Sequence, residues 1–285
     1  MVDADGSDPQ RGFDLLSDET RVEILRALAD RLRERPENPT IGFADLRRRV
    51  GVRDSGNFNY HLQQLEGRFV RGTPEGYRIA PAGLLVVTAL ITGVYGEGTR
   101  LGPTDLEDSC PGCDEPFTAT YEDGLLVVAC PNDHVFRNAL PPGAIEDRTL
   151  SELVDLLALK SRRDLAFAVE RVCPYCYARL EWSATVDPDA ELPSIDTGCS
   201  RCGVRVEIPV IVSLLRHPTV AAFYYDHGID VRKRPLWTPE FFTAVDVSTV
   251  ADSDRLRVEI ELEGDRLEAT LDESLSVLEV TTHGT

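Results

Sequence analysis

The sequence predicts a multi-domain α+β protein, and three patterns along its 285 residues support this class. The first 95 residues contain amphipathic helical segments and one short hairpin, and they contain no cysteine. All seven cysteines lie between residues 110 and 202, in two groups with the spacing of metal ligands. Residues 255–280 alternate apolar and polar side chains, which is typical of an antiparallel sheet with one solvated face.

The first predicted helix begins with Ser17 as its N-cap, followed by the acidic residues Asp18 and Glu19. Acidic side chains in the first turn are favoured by the helix dipole. The helix ends before Pro36, because proline cannot continue it. Its apolar residues recur at helical spacing and predict one buried face, formed by Val22, Leu25, Leu28, Ala29 and Leu32.

Two further helices are predicted over residues 43–50 and 55–66, with a tight turn at 51–54 between them. At 100° per residue, the apolar side chains of the second of these helices form one stripe, and amides and a phenol lie opposite. Asparagine and glutamine can form paired hydrogen bonds with adenine edges in the major groove, so this face favours base recognition. We expect His61, at the core edge, to be a half-buried packing residue rather than a ligand. The candidate DNA-contacting residues in this region are Arg53, Asn57, Asn59, Tyr60, Gln63 and Gln64.

A β-hairpin is predicted next, with strands at 69–71 and 77–79 and a turn at 72–76. Each strand carries one candidate phosphate-contacting arginine, Arg71 or Arg78. A nearly all-apolar helix over 81–95 follows. Helix, helix, turn, helix, basic hairpin and helix is the order of a winged helix-turn-helix, which we predict over residues 13–95.

Charge is distributed unevenly along the chain, whose net charge is −19. Residues 41–80 hold seven arginines and only four acidic residues, which indicates an anionic partner for this segment. Of the 30 basic residues only two are lysine, and such an acidic, lysine-poor composition is typical of proteins that work in molar salt. An ordinary acidic cytosolic protein is the alternative interpretation.

Two cysteine groups predict two closed zinc sites. Each contains C-x₂-C pairing, and the two groups bracket gaps of 16 and 22 residues, enough for the hairpin of a zinc ribbon. Disulfides suit a secreted chain, but the first residues carry no signal-peptide pattern. A catalytic zinc would leave one ligand position open, whereas each group offers four ligands; redox or iron–sulfur use is the remaining alternative. The predicted ligands are Cys110, Cys113, Cys130 and His134, then Cys173, Cys176, Cys199 and Cys202.

The rest of the chain divides around these sites. We predict a linker over 96–108, the first ribbon over 109–140, a helical spacer over 141–171, the second ribbon over 172–210, and a helical and antiparallel β region over 211–285. The apolar segment 211–226 is expected to break at Pro218. That segment and the aromatic cluster at 237–242 could form core or line a ligand pocket, and we favour core.

Two classes receive no support from the sequence. No apolar run approaches the roughly 20 residues that span a bilayer, so a cytoplasmic protein without membrane contact is expected. The sequence shows no nucleophile–base signature and no phosphate-binding glycine loop. It also shows no metal-ligand pattern that leaves a coordination position open, so an enzyme is not expected.

Residues 13–95 resemble the ArsR-like (arsenical-repressor) winged-helix family of transcriptional regulators. Two stretches carry the resemblance: Leu16-Ser-Asp-Glu-Thr-Arg-Val-Glu-Ile-Leu-Arg-Ala-Leu28 and Asn59-Tyr60-His61-Leu62-Gln63-Gln64-Leu65. The second follows the family's S-x-H-L-x-x-L recognition-helix pattern, with asparagine in place of serine. The resemblance implies base contacts at Asn57, Asn59 and Tyr60, with His61 as a further candidate. The whole chain resembles transcriptional regulators common in extreme halophiles.

One departure from that family limits the resemblance. Its metal sensors carry a cysteine motif within the DNA-binding domain, and no cysteine precedes Cys110 here. Arsenic-type sensing by this domain is therefore not supported.

These patterns together predict a sequence-specific regulator that binds double-stranded DNA, pairs as a homodimer and uses its zinc module for pairing, partner binding or effector response. Two alternatives stay open. A basal transcription factor resembling archaeal factor E also joins a winged helix to a zinc ribbon, although it normally has one ribbon. A zinc-ribbon protein that handles RNA or ribosomes is the other alternative, and the acidic C-terminal half disfavours it.

Overall fold

The computed structural model divides between residues 97 and 98 into two units, each with its own core. It describes residues 9–96, 98–182, 186–188, 190, 192–251 and 253–284. Helices and several antiparallel sheets occur together, so the α+β class is confirmed. Within these described ranges we find no helix that combines the length and the apolar character needed to cross a bilayer.

The first unit contains five helices and one hairpin among its described residues. Its helices are α1 (Pro9–Leu16), α2 (Glu19–Glu34), α3 (Phe43–Val50), α4 (Ser55–Leu65) and α5 (Pro81–Ile91). The hairpin consists of β1 (Val70–Thr73) and β2 (Gly76–Ile79). Fully buried side chains from three of the helices form its core: Ile24, Leu25, Leu28, Leu46, Phe58, Leu62 and Leu65.

Helix ends in this unit follow side-chain caps. Asp18, rather than the predicted Ser17, caps α2 by accepting a hydrogen bond from the backbone N–H of Arg21 at 3.2 Å. Ser17 instead donates to the carbonyl oxygen of Asp14, because α1 ends immediately before it. Asp54 caps α4 through the N–H of Asn57 at 2.6 Å. The predicted bounds of α3 are confirmed, whereas α1 was not predicted.

The predicted hairpin strands were wrong by one or two residues next to the turn, and the predicted end of the following helix was wrong by four. The turn contains only Pro74 and Glu75, so the strands are longer than predicted. Helix α5 ends at Ile91 rather than residue 95, because Gly93 adopts a positive φ of 71° that leaves the helical conformation. Gly76 is required for a different reason: a Cβ there would lie 2.2 Å from the carbonyl oxygen of Ile41, which pairs with Tyr77.

The second unit begins with a four-stranded antiparallel sheet in chain order. Its strands are β3 (Arg100–Ser109), β4 (Pro116–Glu122), β5 (Leu125–Ala129) and β6 (Val135–Ala139). The prediction of a linker over 96–108 was wrong for most of its length, because β3 begins at Arg100. Residue 97 of that segment lies outside the described residues. β3 lies at the edge of the sheet, is almost wholly exposed and pairs with β4 through two register irregularities. Its sequence therefore lacks the alternation of apolar and polar residues by which a strand is recognised.

Helix α6 (Leu150–Val169) packs across that sheet and reaches the following elements. Thr149 and Glu152 form a capping box at its start, within the predicted helical spacer. Its first half contributes Leu153 and Leu157 to the core of the sheet, and its last turns contribute Ala168 to a second core. This helix therefore connects the two halves of the unit.

The second half contains a three-stranded sheet and a four-stranded sheet. The first consists of β7 (Glu181–Trp182), β8 (Ser194–Gly198) and β9 (Arg205–Pro209). Helices α7 (Val210–Leu214) and α8 (Pro218–Asp226) follow, with the predicted break at Pro218. The second sheet is a meander of β10 (Val245–Thr249), β11 (Leu256–Leu262), β12 (Asp265–Leu271) and β13 (Val277–His283).

One continuous core joins these elements, so the meander is not isolated from the second cysteine group. Val220, Phe223 and Tyr224 of α8 are buried in it, which confirms the core interpretation of residues 211–226. Trp237 and Phe241 are also buried, at 2% and 1% exposure. The aromatic cluster at 237–242 is therefore core as well, and its two halves pack into different cores.

Candidate metal centres and nucleic-acid interface

The first cysteine group lies at one end of the sheet β3–β6. Cys110 and Cys113 lie in the connection between β3 and β4, and Cys130 and His134 lie between β5 and β6. The sulfurs of the three cysteines lie 3.2 to 3.5 Å from His134 Nδ1. Antiparallel pairing places the two connections at the same end, which is why residues 17 or more positions apart converge.

The second cysteine group has the same arrangement with four sulfurs. Cys173 and Cys176 precede β7, and Cys199 and Cys202 connect β8 to β9. Cys173 Sγ lies 3.6 Å from Cys202 Sγ, and Cys176 Sγ lies 3.4 Å from Cys199 Sγ. In each group all four donor atoms lie within 4.8 Å of one another, so each group could hold one metal ion, as the sequence predicted.

Three of the four ligand-bearing turns share one backbone geometry. The first cysteine's carbonyl oxygen accepts a hydrogen bond from the residue four positions later, at 2.9 to 3.0 Å. That residue has a positive φ in every case: 58° at Asp114, 58° at Tyr177 and 76° at Gly203. The turn of Cys130 is tighter, since its carbonyl accepts from Asp133 three positions later. The tighter turn is associated with histidine rather than cysteine as the second ligand.

Backbone N–H groups in these turns stabilise thiolate charge. The N–H groups of Cys202 and Arg201 lower the pKa of Cys199 to about 6. The N–H of Glu115 lowers the pKa of Cys113 to about 7, while burial raises the pKa of Cys110 to about 11. Each group therefore has one thiol that ionises near neutral pH, and a bound cation would favour ionisation of the other thiols.

The spacing of the donor atoms fits a tetrahedral ion of ordinary size. A tetrahedral site with metal–sulfur distances of about 2.3 Å requires sulfurs about 3.8 Å apart. The observed sulfur–sulfur distances of 3.4 to 3.6 Å are close to that value. Because the donors are soft sulfurs and one imidazole, the sites suit zinc or iron better than calcium or magnesium.

A polar network, which no sequence pattern predicted, connects the second group to the first sheet. Asp164 of α6 is 4% exposed and accepts hydrogen bonds from Lys160 at 2.5 Å and from Asn138 of β6 at 3.0 Å. Tyr175, inside the Cys173–Cys176 turn, donates to Asn138 Oδ1 at 3.0 Å. Burial raises the pKa of Tyr175, so its phenol remains a neutral donor. The only sequence signal was one of two lysines placed four residues before an aspartate.

The predicted recognition surface lies on α4. Phe58, Leu62 and Leu65 are fully buried, as predicted, so the opposite face of the helix points to solvent. On that face Tyr60 is 57% exposed. The same face carries four amide side chains, and none of them has a hydrogen-bond partner within the described residues. Asn57, Gln63 and Gln64 are exposed, and Asn59 is half-buried. We call this surface the amide face.

His61 does not belong to the amide face. It is 8% exposed and lies 3.4 Å from Asp18 at the start of α2. The prediction that it is a packing residue is therefore confirmed, and it is more buried than expected.

The arginines of this unit divide into engaged and unengaged sets. Arg47 donates to the carbonyl oxygens of Val52 and Arg53, and Arg48 and Arg49 pair with acidic residues. The three arginines that the sequence predicts to contact DNA, Arg53, Arg71 and Arg78, are exposed and have neither an ion pair nor a hydrogen bond among the residues described. Arg71 and Arg78 lie directly opposite each other in the hairpin register.

Helix α5 presents apolar side chains to solvent. Leu85 is 73% exposed and Ile91 is 65% exposed, and Tyr95 just beyond the helix is 70% exposed. The α2-facing side of α5 is covered, since Val87 is only 5% exposed. The outer side of this helix therefore has no partner within the described part of its own unit.

Two family models match the chain. One, described as Domain of unknown function (DUF7351), matches residues 107–277, and the other, described as Domain of unknown function (DUF7347), matches residues 9–90. The matched ranges fall within the two structural units. No curated protein and no solved structure matches the chain.

Proposed function

We propose that this chain, which belongs to the family described as domain of unknown function DUF7351, is a DNA-binding transcriptional regulator with a zinc-stabilised C-terminal module. The observation that carries the proposal is the amide face of α4, in a unit that also carries exposed arginines with no acidic partner among the described residues. Each part of the proposal depends on a separate feature of the structure.

The first unit is proposed to be a winged helix-turn-helix. Helices α2, α3 and α4 pack around one core, and the hairpin β1–β2 follows α4 directly. Pairing of Ile41 with Tyr77 adds a third short strand segment to the hairpin. In such a fold the third helix enters the major groove and the hairpin contacts the flanking backbone or minor groove.

The amide face supports recognition of bases rather than simple attraction to DNA. Asn57, Gln63 and Gln64 are neutral, exposed and free of partners among the described residues. Their amides can donate and accept together, which matches the edge of adenine in the major groove. At molar salt the Debye length is about 3 Å, so close hydrogen bonds must supply affinity that long-range charge attraction cannot.

The paired arginines of the hairpin support contact with a polyanion. Arg71 and Arg78 face each other across an antiparallel pair, where like charges destabilise the sheet. Both side chains are exposed and no acidic residue is paired with either in the described chain. A phosphate between them would remove the repulsion, so DNA binding supplies the stabilisation that the isolated hairpin lacks.

A homodimer is proposed through the outer side of α5, together with α2, which packs against it. Leu85, Ile91 and Tyr95 expose apolar surface on α5 and its end. Apolar side chains grouped in this way are typical of a pairing surface rather than a solvated one. Two-fold pairing would also match two DNA half-sites.

Zinc is the metal proposed for both cysteine groups. Four soft or borderline donors in closed tetrahedral arrangement suit a structural zinc ion, since neither group offers an open coordination position. Cys110, Cys113, Cys130 and His134 would hold one ion, and Cys173, Cys176, Cys199 and Cys202 would hold the other. The ions would fix the ligand-bearing turns at the ends of the two sheets.

Selection from randomised duplex DNA tests the proposal. The full chain should enrich one motif, with two half-sites if it binds as a dimer. A chain that retains all duplexes equally would favour the basal-factor alternative, and a chain that retains RNA but no duplex would favour the RNA alternative. Either result would contradict the proposed function.

A further inference from the structure

The second cysteine group lies beside a surface of exposed aromatic side chains. Tyr175 and Tyr177 flank Cys176 in the ligand turn and are 47% and 70% exposed, and Phe167 of α6 is 37% exposed. The rings of Phe167 and Tyr177 lie 5.9 Å apart, edge to face. Arg163, one helical turn before Phe167, has a side chain that is 61% exposed. We call Arg163, Phe167, Tyr175 and Tyr177 the aromatic surface.

Contacts within the second unit join the two ends of this surface. Lys160 Nζ lies 5.0 Å from the centre of the Tyr175 ring and 2.5 Å from Asp164 Oδ2. Arg163 pairs with the other oxygen of the same carboxylate at 3.1 Å. Because Arg163 and Phe167 are four residues apart on α6, they lie on one face of the helix. The two tyrosines, the phenylalanine and the arginine therefore form one continuous surface.

Tyr177 occupies a backbone position where a tyrosine is unfavourable. Its φ is 58°, and the equivalent residues of two other ligand turns are Asp114 and Gly203. Glycine and aspartate adopt this left-handed conformation more readily than an aromatic residue does. A tyrosine that is 70% exposed at such a position adds strain without adding much to the core. Strain of this kind points to a role outside folding.

The charge around the second cysteine group is positive, although the unit as a whole is acidic. Residues 159–182 hold five basic and three acidic residues, and residues 199–206 hold two arginines and no acidic residue. Residues 109–140, around the first group, hold one arginine and five acidic residues. Arg179 and Arg201 are exposed and form no ion pair with any described residue. This charge favours an anionic ligand at the second group and disfavours one at the first.

The ligand turns of the two groups differ in the same direction. The residue just before the second cysteine is Tyr175 in one turn of the second group and Arg201 in its other turn. The corresponding residue in the first group is Gly112. Because these three turns share one backbone geometry, the contrast lies in the side chains. The second group therefore presents a ring and a guanidinium from matching positions of its two turns.

We propose that the aromatic surface, together with Arg179 and Arg201, binds a single-stranded nucleic acid. Unpaired bases stack on the rings of Tyr177 and Phe167, and the arginines contact phosphates. A duplex hides the faces of its bases, so exposed rings favour a single strand over a duplex. The carboxylates of an acidic peptide would neutralise the arginines but would leave the rings without a stacking partner. This site is separate from the amide face and does not rest on the function proposed for that face.

Fluorescence anisotropy of a short labelled oligothymidylate, titrated with the metal-loaded full chain, tests the proposal. We expect saturable binding that polyglutamate of equal charge does not displace. Oligouridylate of equal length distinguishes the two sources of this chemistry: tighter binding of thymidylate indicates single-stranded DNA, tighter binding of uridylate indicates RNA, and equal binding indicates a surface that accepts either. Absence of saturable binding with both oligonucleotides, or displacement by polyglutamate, would overturn the proposal.

Matched variants localise the binding. Tyr177→Asn removes the ring and suits the left-handed backbone, so it should not lower the free energy of unfolding, yet it should weaken oligothymidylate binding roughly 5- to 150-fold. Phe167→Ala should weaken this binding by a smaller factor, since Phe167 is less exposed. Tyr225→Asn is the control, because Tyr225 is 66% exposed on α8 and lies outside the aromatic surface. Unchanged affinity in both Tyr177→Asn and Phe167→Ala would contradict the assignment.

A crossed comparison separates this site from the amide face. Tyr177→Asn should leave the binding of duplex DNA unchanged, and Gln64→Ala should leave the binding of oligothymidylate unchanged. Loss of oligothymidylate binding in Gln64→Ala but not in Tyr177→Asn would place the single strand on the first unit. That result would overturn the present proposal without contradicting the function proposed for the amide face.

Discussion

The two units of this chain differ in charge and in cysteine content. The first 97 residues hold 13 arginines and 15 acidic residues, contain no cysteine and bury one helical core. The remaining residues hold 17 basic and 34 acidic residues, all seven cysteines and a hydrogen-bond network around the buried Asp164. A near-neutral unit that folds by apolar packing can approach a polyanion. An acidic unit with two groups of potential metal ligands suits partners of other chemistry, except at the basic surface beside the second group.

Removal of metal should separate the units most clearly. Cys199→Ser removes one ligand of the second group, and closed zinc sites contribute about 10–16 kcal/mol of apparent folding free energy. The second unit should lose its folded core while the first unit stays folded, since it contains no ligand. Amide hydrogen exchange resolves the two units, and Ser200→Ala in the same turn is the control. Equal loss of protection in both units would contradict the comparison.

The polar network should be the next most sensitive feature. Lys160→Met leaves the buried carboxylate of Asp164 without its main cation, which should lower the free energy of unfolding by about 3 kcal/mol. Arg163→Gln is the matched control, because Arg163 is 61% exposed and its pair with Asp164 should contribute about 1 kcal/mol or less. Denaturant unfolding with metal bound measures both. Similar losses for the two variants would show that burial does not determine the effect.

Pairing through α5 should depend on one exposed leucine. Leu85→Glu places a charge on the proposed dimer surface and should raise the dissociation constant of the dimer at least tenfold, equivalent to about 1.4 kcal/mol. Light scattering across concentration measures the change. Leu159→Glu is the control, since Leu159 is 58% exposed on α6 and belongs to the other unit. A native chain that is monomeric at micromolar concentration would refute the proposed dimer.

The hairpin arginines should contribute less and without sequence preference. Arg71→Gln or Arg78→Gln should weaken binding to all duplexes by similar factors and reduce the salt slope by about one. The physical reason is that phosphate contacts carry no base information. Arg48→Gln is the control, because Arg48 already pairs with Asp45. Loss confined to A·T-rich sites would instead indicate an arginine in a narrow minor groove.

Local patterns predicted the parts of the structure that depend on neighbours in sequence. The bounds of α3, the buried stripe of α4 and both ligand groups follow from spacing alone. The start of α2 was wrong by one residue because Ser17 and Asp18 are equally good caps, and α1 decides between them. Strand β3 was missed because its exposed, irregular pairing leaves no alternation.

Features that depend on distant contacts could not be predicted in the same way. Asn138, Asp164 and Tyr175 come from a strand, a helix and a ligand turn, and no spacing rule relates them. Such contacts depend on how the elements pack, which periodicity does not describe.

The most direct test of the account compares sequence-selective with total DNA binding by the amide face. Isotherms for Asn57→Ala and Gln64→Ala are measured on the selected motif and on scrambled duplex of equal length. We expect a loss of about 1–3 kcal/mol on the motif at one or two base positions, with scrambled binding nearly unchanged. Equal losses on motif and scrambled DNA would show that α4 does not recognise bases and would contradict the proposed function.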